Sequence, residues 1–239
     1  MSKIRIFIEP QSIGDLVEIT DKNIVHKISN VLRLKEKDSI YVFDGEGREY
    51  LYEIQRMEKK YFIIKKRKKG RDEPPPLVKL ILGFPLIREE KVDFILQKAT
   101  ELGVDGFIPF ICSRSLRVKP SESKVKRWRK IVIEAVRQSG RLWIPEVYSV
   151  LDFEEVIQQR FSLKLSASIE GENLQKVLNK RIKDILVVVG PEGDFSLKEQ
   201  EELKVRGFKF IRLSDNILRT ETAAMFATGA IKLWLANSD

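Results

Sequence analysis

The chain has 239 residues, 43% of them hydrophobic, which is enough for one large domain or for a small domain and a medium one. Its 44 Lys and Arg against 35 Asp and Glu give a net charge of +9, which favours a nucleic-acid partner, although a basic surface can also serve solubility alone. One cysteine, Cys112, and one histidine, His26, exclude an intrachain disulfide and a His/Cys metal cluster, and the absence of a signal peptide or bilayer-length apolar run predicts a cytoplasmic protein without a membrane partner.

The first part of the chain is rich in short segments with alternating apolar and polar residues, which is typical of β-strands. These segments cover residues 3–8, 16–19, 39–43, 49–54 and 61–64. Asp44-Gly-Glu-Gly47 predicts a tight hairpin because glycine accepts positive φ. A helix starting near Asp21 is expected to present one apolar face, made of Ile24, Val25, Ile28, Val31 and Leu32. Together the segments predict a small β-barrel.

A basic run followed by three prolines, over residues 65–76, predicts a domain boundary. We expect the barrel over residues 1–70, a Pro-rich linker over 71–76 and a larger domain over 77–239. The basic run itself is either an RNA contact or a solvated strand end.

Beyond the boundary, apolar strands alternate with amphipathic helices, one of them over 121–139. The strands cover residues 78–84, 106–110, 146–148, 163–167, 185–189 and 209–213. Such alternation predicts an α/β domain with a mostly parallel sheet and helices on both faces.

Two loops follow apolar strands in the last third of the chain and form the best candidate site. The first is the Gly-Pro-Glu-Gly turn at 190–193, in which glycine permits a close backbone approach and proline stiffens the turn. The second leads into a helix that Thr220 or Thr222 could cap, with Arg219 and Glu221 at its entrance. Strand carboxyl ends are where α/β sheets bind ligands, so these loops predict a ligand site. The dinucleotide, P-loop and serine-hydrolase motifs do not occur in the sequence.

These two loops resemble the signature blocks of the RsmE-type 16S rRNA uridine-N3 methyltransferase family, within the knotted SPOUT methyltransferase superfamily. The matching blocks are Gly-Pro-Glu-Gly at 190–193 and Ile-Leu-Arg-Thr-Glu-Thr-Ala at 217–223, and weaker matches extend along the whole chain. Asp194 stands where the family commonly has a second glycine, and Ser-Asp-Asn at 214–216 replaces a sequence that is often Gly-Pro-Arg-like. The resemblance implies a PUA-like RNA-binding barrel followed by an α/β domain with a C-terminal trefoil knot.

The resemblance also implies an activity and its residues. The implied reaction is transfer of a methyl group from S-adenosylmethionine to N3 of a uridine near the decoding region of 16S rRNA, by a homodimer acting on free rRNA or on the 30S ribosomal subunit. Arg219 and Glu221 are the candidate catalytic residues, Arg219 to stabilise the uracil anion and Glu221 to orient Arg219 or accept the proton. The candidate cofactor-binding residues are Leu165, Gly190, Pro191, Glu192, Gly193, Leu213, Asn216, Ile217, Leu218, Thr222 and Ala223. The candidate RNA-binding residues are Arg5, Arg33, Arg114 and Arg117.

Two other functions agree with the same residues. A knotted fold of this kind also suits a methyltransferase of the ribose 2′-hydroxyl. Identification of the modified nucleoside by mass spectrometry would distinguish the two products. A basic protein of this size can also be a non-catalytic rRNA-binding assembly factor, which would bind RNA without binding S-adenosylmethionine.

Overall fold

The computed structural model describes residues 4–179 and 181–237. The predicted start of the first strand at Lys3 therefore lies outside the described residues. Two compact units are present: one runs up to Pro75 and also contains Val136–Ile144, and the other contains Pro76–Ala135 and continues from Pro145. Within the described ranges, no helix is long and apolar enough to cross a membrane.

The first unit is built on a five-stranded sheet in the order β1-β3-β4-β5-β2. Its strands are β1 (Arg5–Phe7), β2 (Leu16–Ile19), β3 (Ser39–Phe43), β4 (Arg48–Met57) and β5 (Phe62–Asp72). Strands β1 and β3 are parallel, and the other neighbours are antiparallel. Alternating residues of β3, β4 and β5 point into one core, in which Ile40, Tyr52 and Ile64 are fully buried.

The hairpin between β3 and β4 confirms the prediction made from its glycines. Gly45 and Gly47 have φ of 78° and 97°, which a side chain would make unfavourable. The carboxylate of Asp44 accepts hydrogen bonds from the backbone N–H groups of Glu46 (2.8 Å) and Arg48 (3.0 Å). The turn is therefore stabilised by its own first residue.

The helix predicted after Asp21 is shorter than expected. Helix α1 (Lys22–His26) begins at Asp21, whose carboxylate accepts from two backbone N–H groups, and it continues into a π-helical turn over Lys27–Val31. The wider turn rotates the following side chains, so Val31 is 62% exposed while Val25 and Ile28 are buried. The predicted apolar face is thus wrong for Val31 and for Leu32, which is also exposed.

The basic run after residue 64 continues strand β5 to Asp72, so the predicted strand over 61–64 is too short. Basic residues of this strand bind neighbouring acidic residues, as in the pairs Arg67–Glu53 and Lys69–Asp72. The domain ranges 1–70, 71–76 and 77–239 remain a prediction.

Arg5 is buried in the first unit and does not face solvent as an RNA-binding residue would. Its side chain is 5% exposed, and its Nε donates to the Glu49 carboxylate at 2.8 Å. Its guanidinium also donates to the carbonyls of Val136, Arg137 and Arg141, at 3.3, 3.2 and 2.9 Å. The first two carbonyls lie in the last turn of helix α3 (Glu122–Ser139), and that of Val136 also accepts from the N–H of Gly140 at 3.1 Å. The prediction that Arg5 binds RNA is therefore wrong, because its donors are already used within the fold.

We expect Arg5→Met to lower the free energy of unfolding by about 3 kcal/mol or more, because the buried Glu49 carboxylate loses its 2.8 Å partner and keeps the more exposed Arg71 at 3.3 Å, while the carbonyls of residues 136, 137 and 141 lose a donor. Urea unfolding followed by circular dichroism measures this change. Arg56→Met is the matched control, since Arg56 is exposed and among the described residues pairs only with Glu58, and its effect should stay within about 0.5 kcal/mol. Equal stabilities of the two variants would contradict the structural role of Arg5.

The second unit is an α/β domain on a seven-stranded sheet in which every pairing is parallel, as predicted. The main path of the sheet is β12-β10-β11-β6-β7-β8. Its strands are β6 (Lys79–Pro85), β7 (Gly106–Ile111), β8 (Glu146–Val147), β9 (Leu151–Asp152), β10 (Leu163–Asn173), β11 (Asp184–Val188) and β12 (Lys209–Arg212). Its further helices are α2 (Glu89–Glu101), α4 (Phe153–Ile157), α5 (Leu174–Val177), α6 (Leu197–Val205) and α7 (Thr220–Ala236).

Central strands of this sheet are continuously apolar because both of their faces are covered. In β11, Ile185, Leu186 and Val187 are all fully buried. The chain after β11 is held by stacking of Phe195 on Phe110, with centroids 6.2 Å apart, and by a capping box of Ser196 and Glu199 at the start of α6.

Strand β10 is the main difference from the predicted elements, since it runs to Asn173 and not to residue 167. Its last part pairs with β12 a second time, because Ile211 is the partner of both Ala167 and Glu172. A side chain on Gly171 would lie 2.4 Å from the backbone of Ile211. Residues 168–173 therefore lie tightly against β12, which periodicity along the sequence could not predict.

Candidate active site

A cavity of about 460 Å³ opens beside the middle of β10 and at the ends of β11 and β12, a size typical of small-molecule sites. Its wall combines three chain segments, one within β10 and one after each of β11 and β12, the latter two as expected for strands whose carboxyl ends meet at one edge of a sheet. The lining residues are Ala167, Ser168, Ile169, Gly190, Pro191, Glu192, Gly193, Asp194, Leu213, Ser214, Asn216, Ile217, Leu218, Arg219, Thr220 and Ala223.

The Gly-Pro-Glu-Gly turn forms one wall of the cavity, and the backbone at the end of the turn is in a left-handed conformation. Gly193 and Asp194 have φ of 85° and 61°, and the N–H of Asp194 donates to the Pro191 carbonyl at 3.0 Å. Asp194 tolerates positive φ because its carboxylate can accept a local hydrogen bond, here from the N–H of Phe195 at 2.7 Å. A glycine at this position, as the family pattern has, would adopt the same conformation without a side chain.

Arg114 supports this turn from the loop after β7. Its guanidinium donates to the carbonyl of Gly193 and, at 3.3 Å, to that of Asp194. The side chain remains exposed, yet its donors are engaged by the turn. The predicted contact of Arg114 with RNA stays a prediction, and its contact with the turn is a role that the sequence analysis missed.

The second loop is tied to the first by Thr220. The Thr220 hydroxyl is buried and donates to the Gly190 carbonyl at 2.9 Å. Helix α7 begins after Arg219, whose carbonyl accepts from the N–H of Ala223 at 2.8 Å. Thr220 and Thr222 therefore do not cap the helix as predicted, because the cap position belongs to Arg219 and lacks a side-chain hydrogen bond. The Arg219 side chain is exposed on the cavity wall.

Two of the predicted cofactor-binding residues do not line the cavity. Leu165 is fully buried within β10, two positions before the lining residue Ala167. Its side chain packs in the core and does not reach the cavity. Thr222 is exposed on α7 and lies outside the lining. The lining residues that the sequence analysis missed are Ala167, Ser168, Ile169, Asp194, Ser214 and Thr220. Ala167 ends a predicted strand and Ser168, Ile169 and Ser214 directly follow one, which was the available signal, whereas Asp194 and Thr220 stand next to predicted site residues.

A charged cluster lies beside the cavity around Lys91 of α2. The Lys91 ammonium hydrogen-bonds to the Glu192 carboxylate and lies 3.5 Å from Oε2 of Glu221. The hydrogen bond and charge of Lys91 hold the pKa of Glu192 below its usual value, and the charges of Arg88 and Arg219 act in the same direction. The bond to Glu192 raises the pKa of Lys91, and Glu221 adds to this effect.

Glu221 faces Lys91 and does not bind Arg219. Its Oε2 is buried and has no hydrogen bond within good geometry, although the ion pair with Lys91 lies within range. Among the residues that the structure describes, Arg219 forms neither a side-chain hydrogen bond nor an ion pair. The suggestion that Glu221 orients Arg219 is therefore not supported by the contacts.

Of the other predicted RNA-binding residues, Arg33 is exposed in a left-handed conformation (φ 53°) after the π-helical turn of the first unit. Arg117 is exposed in the loop after β7 of the second unit, where it lines a smaller cavity of about 310 Å³ with Cys112, Phe153 and Glu199. Neither contact with RNA is tested by this geometry.

Burial raises the pKa of Cys112 to about 11, and the charge of Glu199 acts in the same direction. Because the thiolate is the reactive form, we expect a disulfide reagent at pH 8 to react about 100-fold more slowly with native protein than with urea-unfolded protein. The native rate should rise about tenfold per pH unit up to the pKa. Stopped-flow absorbance measures both rates, and equal rates in the two states would contradict the burial argument.

Comparison with known proteins places this fold and cavity in a class. An RNA methyltransferase domain matches residues 73–232, and an RNA methyltransferase PUA domain matches residues 19–67. The class is therefore an RNA methyltransferase with an N-terminal PUA-like domain.

Individual relatives identify the family within this class. The chain is 33% identical over 223 residues to ribosomal RNA small subunit methyltransferase E of Bacillus subtilis, covering 87% of this chain and 86% of that protein. The crystal structure of the same-named protein from Neisseria gonorrhoeae, bound to S-adenosyl methionine, matches with a TM-score of 0.88 and 31% identity over 98% of each chain. A putative methyltransferase of Legionella pneumophila in complex with the same cofactor gives a TM-score of 0.89 and 26% identity, again over 98% of each chain. The chain belongs to the ribosomal RNA small subunit methyltransferase E family, which confirms the resemblance seen in its loops.

Proposed function

We propose that this protein transfers the methyl group of S-adenosylmethionine to N3 of a uridine in small-subunit ribosomal RNA. The observation that carries the proposal is the cavity beside β10 and at the ends of β11 and β12, on whose wall stands Arg219, which has no side-chain partner among the described residues. The names of the relatives support rRNA as substrate and the bound neighbours support the cofactor, while the uridine N3 position comes from the sequence resemblance.

The cavity residues fit the proposed cofactor. Leu213, Ile217 and Leu218 supply an apolar wall for an adenine ring, and nearby backbone groups are available to its polar edge. A side chain on Gly190 would meet the Asp194 carboxylate at 2.7 Å, so glycine keeps this turn compact. The bound cofactor would supply a methyl group on a positively charged sulfur.

The chemistry left to the protein is to make uracil N3 nucleophilic. N3 carries a proton, so the site must favour the deprotonated base. Arg219 can donate charge-assisted hydrogen bonds to the uracil anion because its guanidinium has no other partner among the described residues. Glu221 is the proposed proton acceptor, since its buried Oε2 carries no hydrogen bond among the described residues and lies 3.5 Å from the Lys91 ammonium.

We also propose that the C-terminal chain forms the trefoil knot of the SPOUT superfamily. Two facts support this: Ile211 of β12 pairs with both Ala167 and Glu172 of β10, and Gly171 lies against the Ile211 backbone. A strand residue has two hydrogen-bonding edges, so two partners from one strand are expected when β12 passes through the loop at 168–171.

A homodimer is the proposed assembly. Phe226 and Leu233 of α7 are 51% and 66% exposed and lie two helical turns apart on one face, while Ile217 at the cavity rim is 89% exposed. A second copy would bury these side chains next to the site. Sedimentation velocity at micromolar concentration measures the assembly, and a monomer alone would contradict it.

RNA binding is assigned to both units. The PUA-like domain carries Arg33, and the loop after β7 carries Arg114 and Arg117, all exposed. Replacing Arg33 and Arg117 by alanine should weaken binding to 16S rRNA and reduce the slope of log affinity against log salt by about one per lost phosphate contact. An unchanged salt slope in filter binding would contradict these contacts.

Mass spectrometry of the product tests the function. Purified protein, S-adenosylmethionine and 30S subunits or free 16S rRNA lacking the modification are incubated, and the nucleosides are then identified. N3-methyluridine supports the proposal, whereas a 2′-O-methylated nucleoside would replace it with ribose methylation. RNA binding without cofactor binding in calorimetry would indicate a non-catalytic assembly factor.

A further inference from the structure

We propose that Lys91 is a positioning residue for this reaction, which holds the carboxylates of Glu192 and Glu221 and so keeps the Arg219 guanidinium free for the substrate. The inference rests on the proposed function and adds to it a residue outside both signature loops.

The position of Lys91 allows it to reach both loops. Lys91 lies in the first turn of α2, and α2 packs against α7, whose first turn carries Glu221. Glu192 belongs to the turn after β11. The Lys91 side chain is only 19% exposed and is therefore fixed by packing, while the Glu192 side chain is 68% exposed. The ion pair with Lys91 therefore fixes the position of the Glu192 carboxylate.

Without Lys91, both acids would be without their nearest cation while Arg219 remained close. The charge of Arg219 already acts on Glu192, and Arg219 and Glu221 are separated by one residue at the start of α7. Arginine and carboxylate form strong bidentate pairs. An Arg219 paired in this way would have fewer donors for uracil, and the added carboxylate would oppose a negative charge on the base.

A stabilising ion pair without a role in the reaction is the competing explanation, and the two differ in what a second mutation does. If Lys91 only stabilises the fold, then removing the Glu192 charge from a Lys91→Met protein has no reason to restore turnover. If Lys91 keeps Glu192 away from Arg219, then Glu192→Gln in the same protein removes the competitor and restores part of the rate.

The experiment measures single-turnover methylation of the RNA substrate at saturating S-adenosylmethionine for wild type, Lys91→Met, Lys91→Arg, Glu192→Gln and the double variant Lys91→Met/Glu192→Gln. We expect Lys91→Met to lose about 30-fold in rate, Lys91→Arg to keep most of it, and the double variant to recover about tenfold relative to Lys91→Met. For the Lys91 single variants, cofactor affinity from calorimetry and the melting temperature should change little. Lys98→Met is the matched control, because Lys98 lies on the same helix and its one ion pair within the described part of the chain is with Glu101.

Multiplicative effects of the two substitutions, or a Lys91→Met rate equal to that of Lys98→Met, would overturn the inference. A loss of rate that only parallels lost cofactor affinity or lost folding would overturn it as well. Lys91→Gln replaces Lys91→Met if the latter does not fold. The wild-type reaction tests the proposed function separately, because absence of any methylated nucleoside rejects both proposals. If wild type forms the product but the two substitutions have multiplicative effects on the rate, only the positioning role of Lys91 is rejected.

Discussion

Arg219→Ala is expected to lower the single-turnover rate of methylation by about 100- to 1000-fold while S-adenosylmethionine still binds. The reason is that Arg219 stands on the cavity wall with a guanidinium that no described residue binds, so its removal deletes donors proposed to act on the charge of the uracil anion. The rate is measured with radiolabelled cofactor on the RNA substrate, and the affinity by calorimetry.

Two variants separate this role from the general effect of a positive charge. Arg219→Lys keeps the charge without the planar fork of donors and should recover only part of the rate. Arg206→Ala removes an exposed arginine at the end of α6 that does not line the cavity, and its rate should equal that of wild type. Arg219→Ala with the wild-type rate, or with a rate loss explained fully by weaker cofactor binding, would contradict a role in the chemistry.

The second large effect is expected from Gly171→Ala, a substitution outside the cavity. A Cβ at this position would lie 2.4 Å from the carbonyl carbon of Ile211, 2.5 Å from its nitrogen and 2.6 Å from the nitrogen of Arg212. These are backbone atoms of β12, which cannot turn away as a side-chain end can. We expect the free energy of unfolding to fall by about 3 kcal/mol or more, since overpacking of this kind forces the backbone apart.

Gly207→Ala is the matched control for this substitution. Gly207 has φ of 79° but nothing within 4 Å of its Cβ position, so alanine costs only the left-handed conformation, about 1–2 kcal/mol. Urea unfolding of the two variants compares the free-energy cost of the close Cβ contacts at residue 171 with the cost of the left-handed conformation at residue 207. If Gly171→Ala is no less stable than Gly207→Ala, the close passage of residues 168–173 over β12 is wrong.

Strands and turns agree with the predictions where they depend on interactions between residues that are close in sequence. Continuous apolar runs such as β11 and the glycine-containing hairpin at 44–47 depend on neighbours in sequence, and both appear close to the predicted positions. The helix after Asp21 shows the limit, because its cap was predicted correctly while the π-helical turn that exposes Val31 was not. A π-helical turn contains more residues than an α-helical turn, so it rotates the side chains that follow it. The spacing of apolar residues in the sequence does not reveal where such a turn occurs.

The site shows the same division between local and distant information. The two loops at 190–193 and 217–223 were found from their residue types, and most of their residues line the cavity. Arg5 was assigned to the surface because an arginine without a sequence neighbour of opposite charge offers no sign of burial. Its partner Glu49 and its acceptor carbonyls at 136, 137 and 141 are distant in the chain.

The sequence by itself determined that the chain is a basic two-part protein, that its larger part is a parallel α/β domain, and which two loops line the cavity, because periodicity and turn chemistry act over a few residues. Only the tertiary structure decided that Lys91 binds Glu192, that Glu221 faces Lys91, and that β10 passes closely over β12 at Gly171. Those contacts join segments far apart in the chain, and their energies depend on distances that no local pattern encodes.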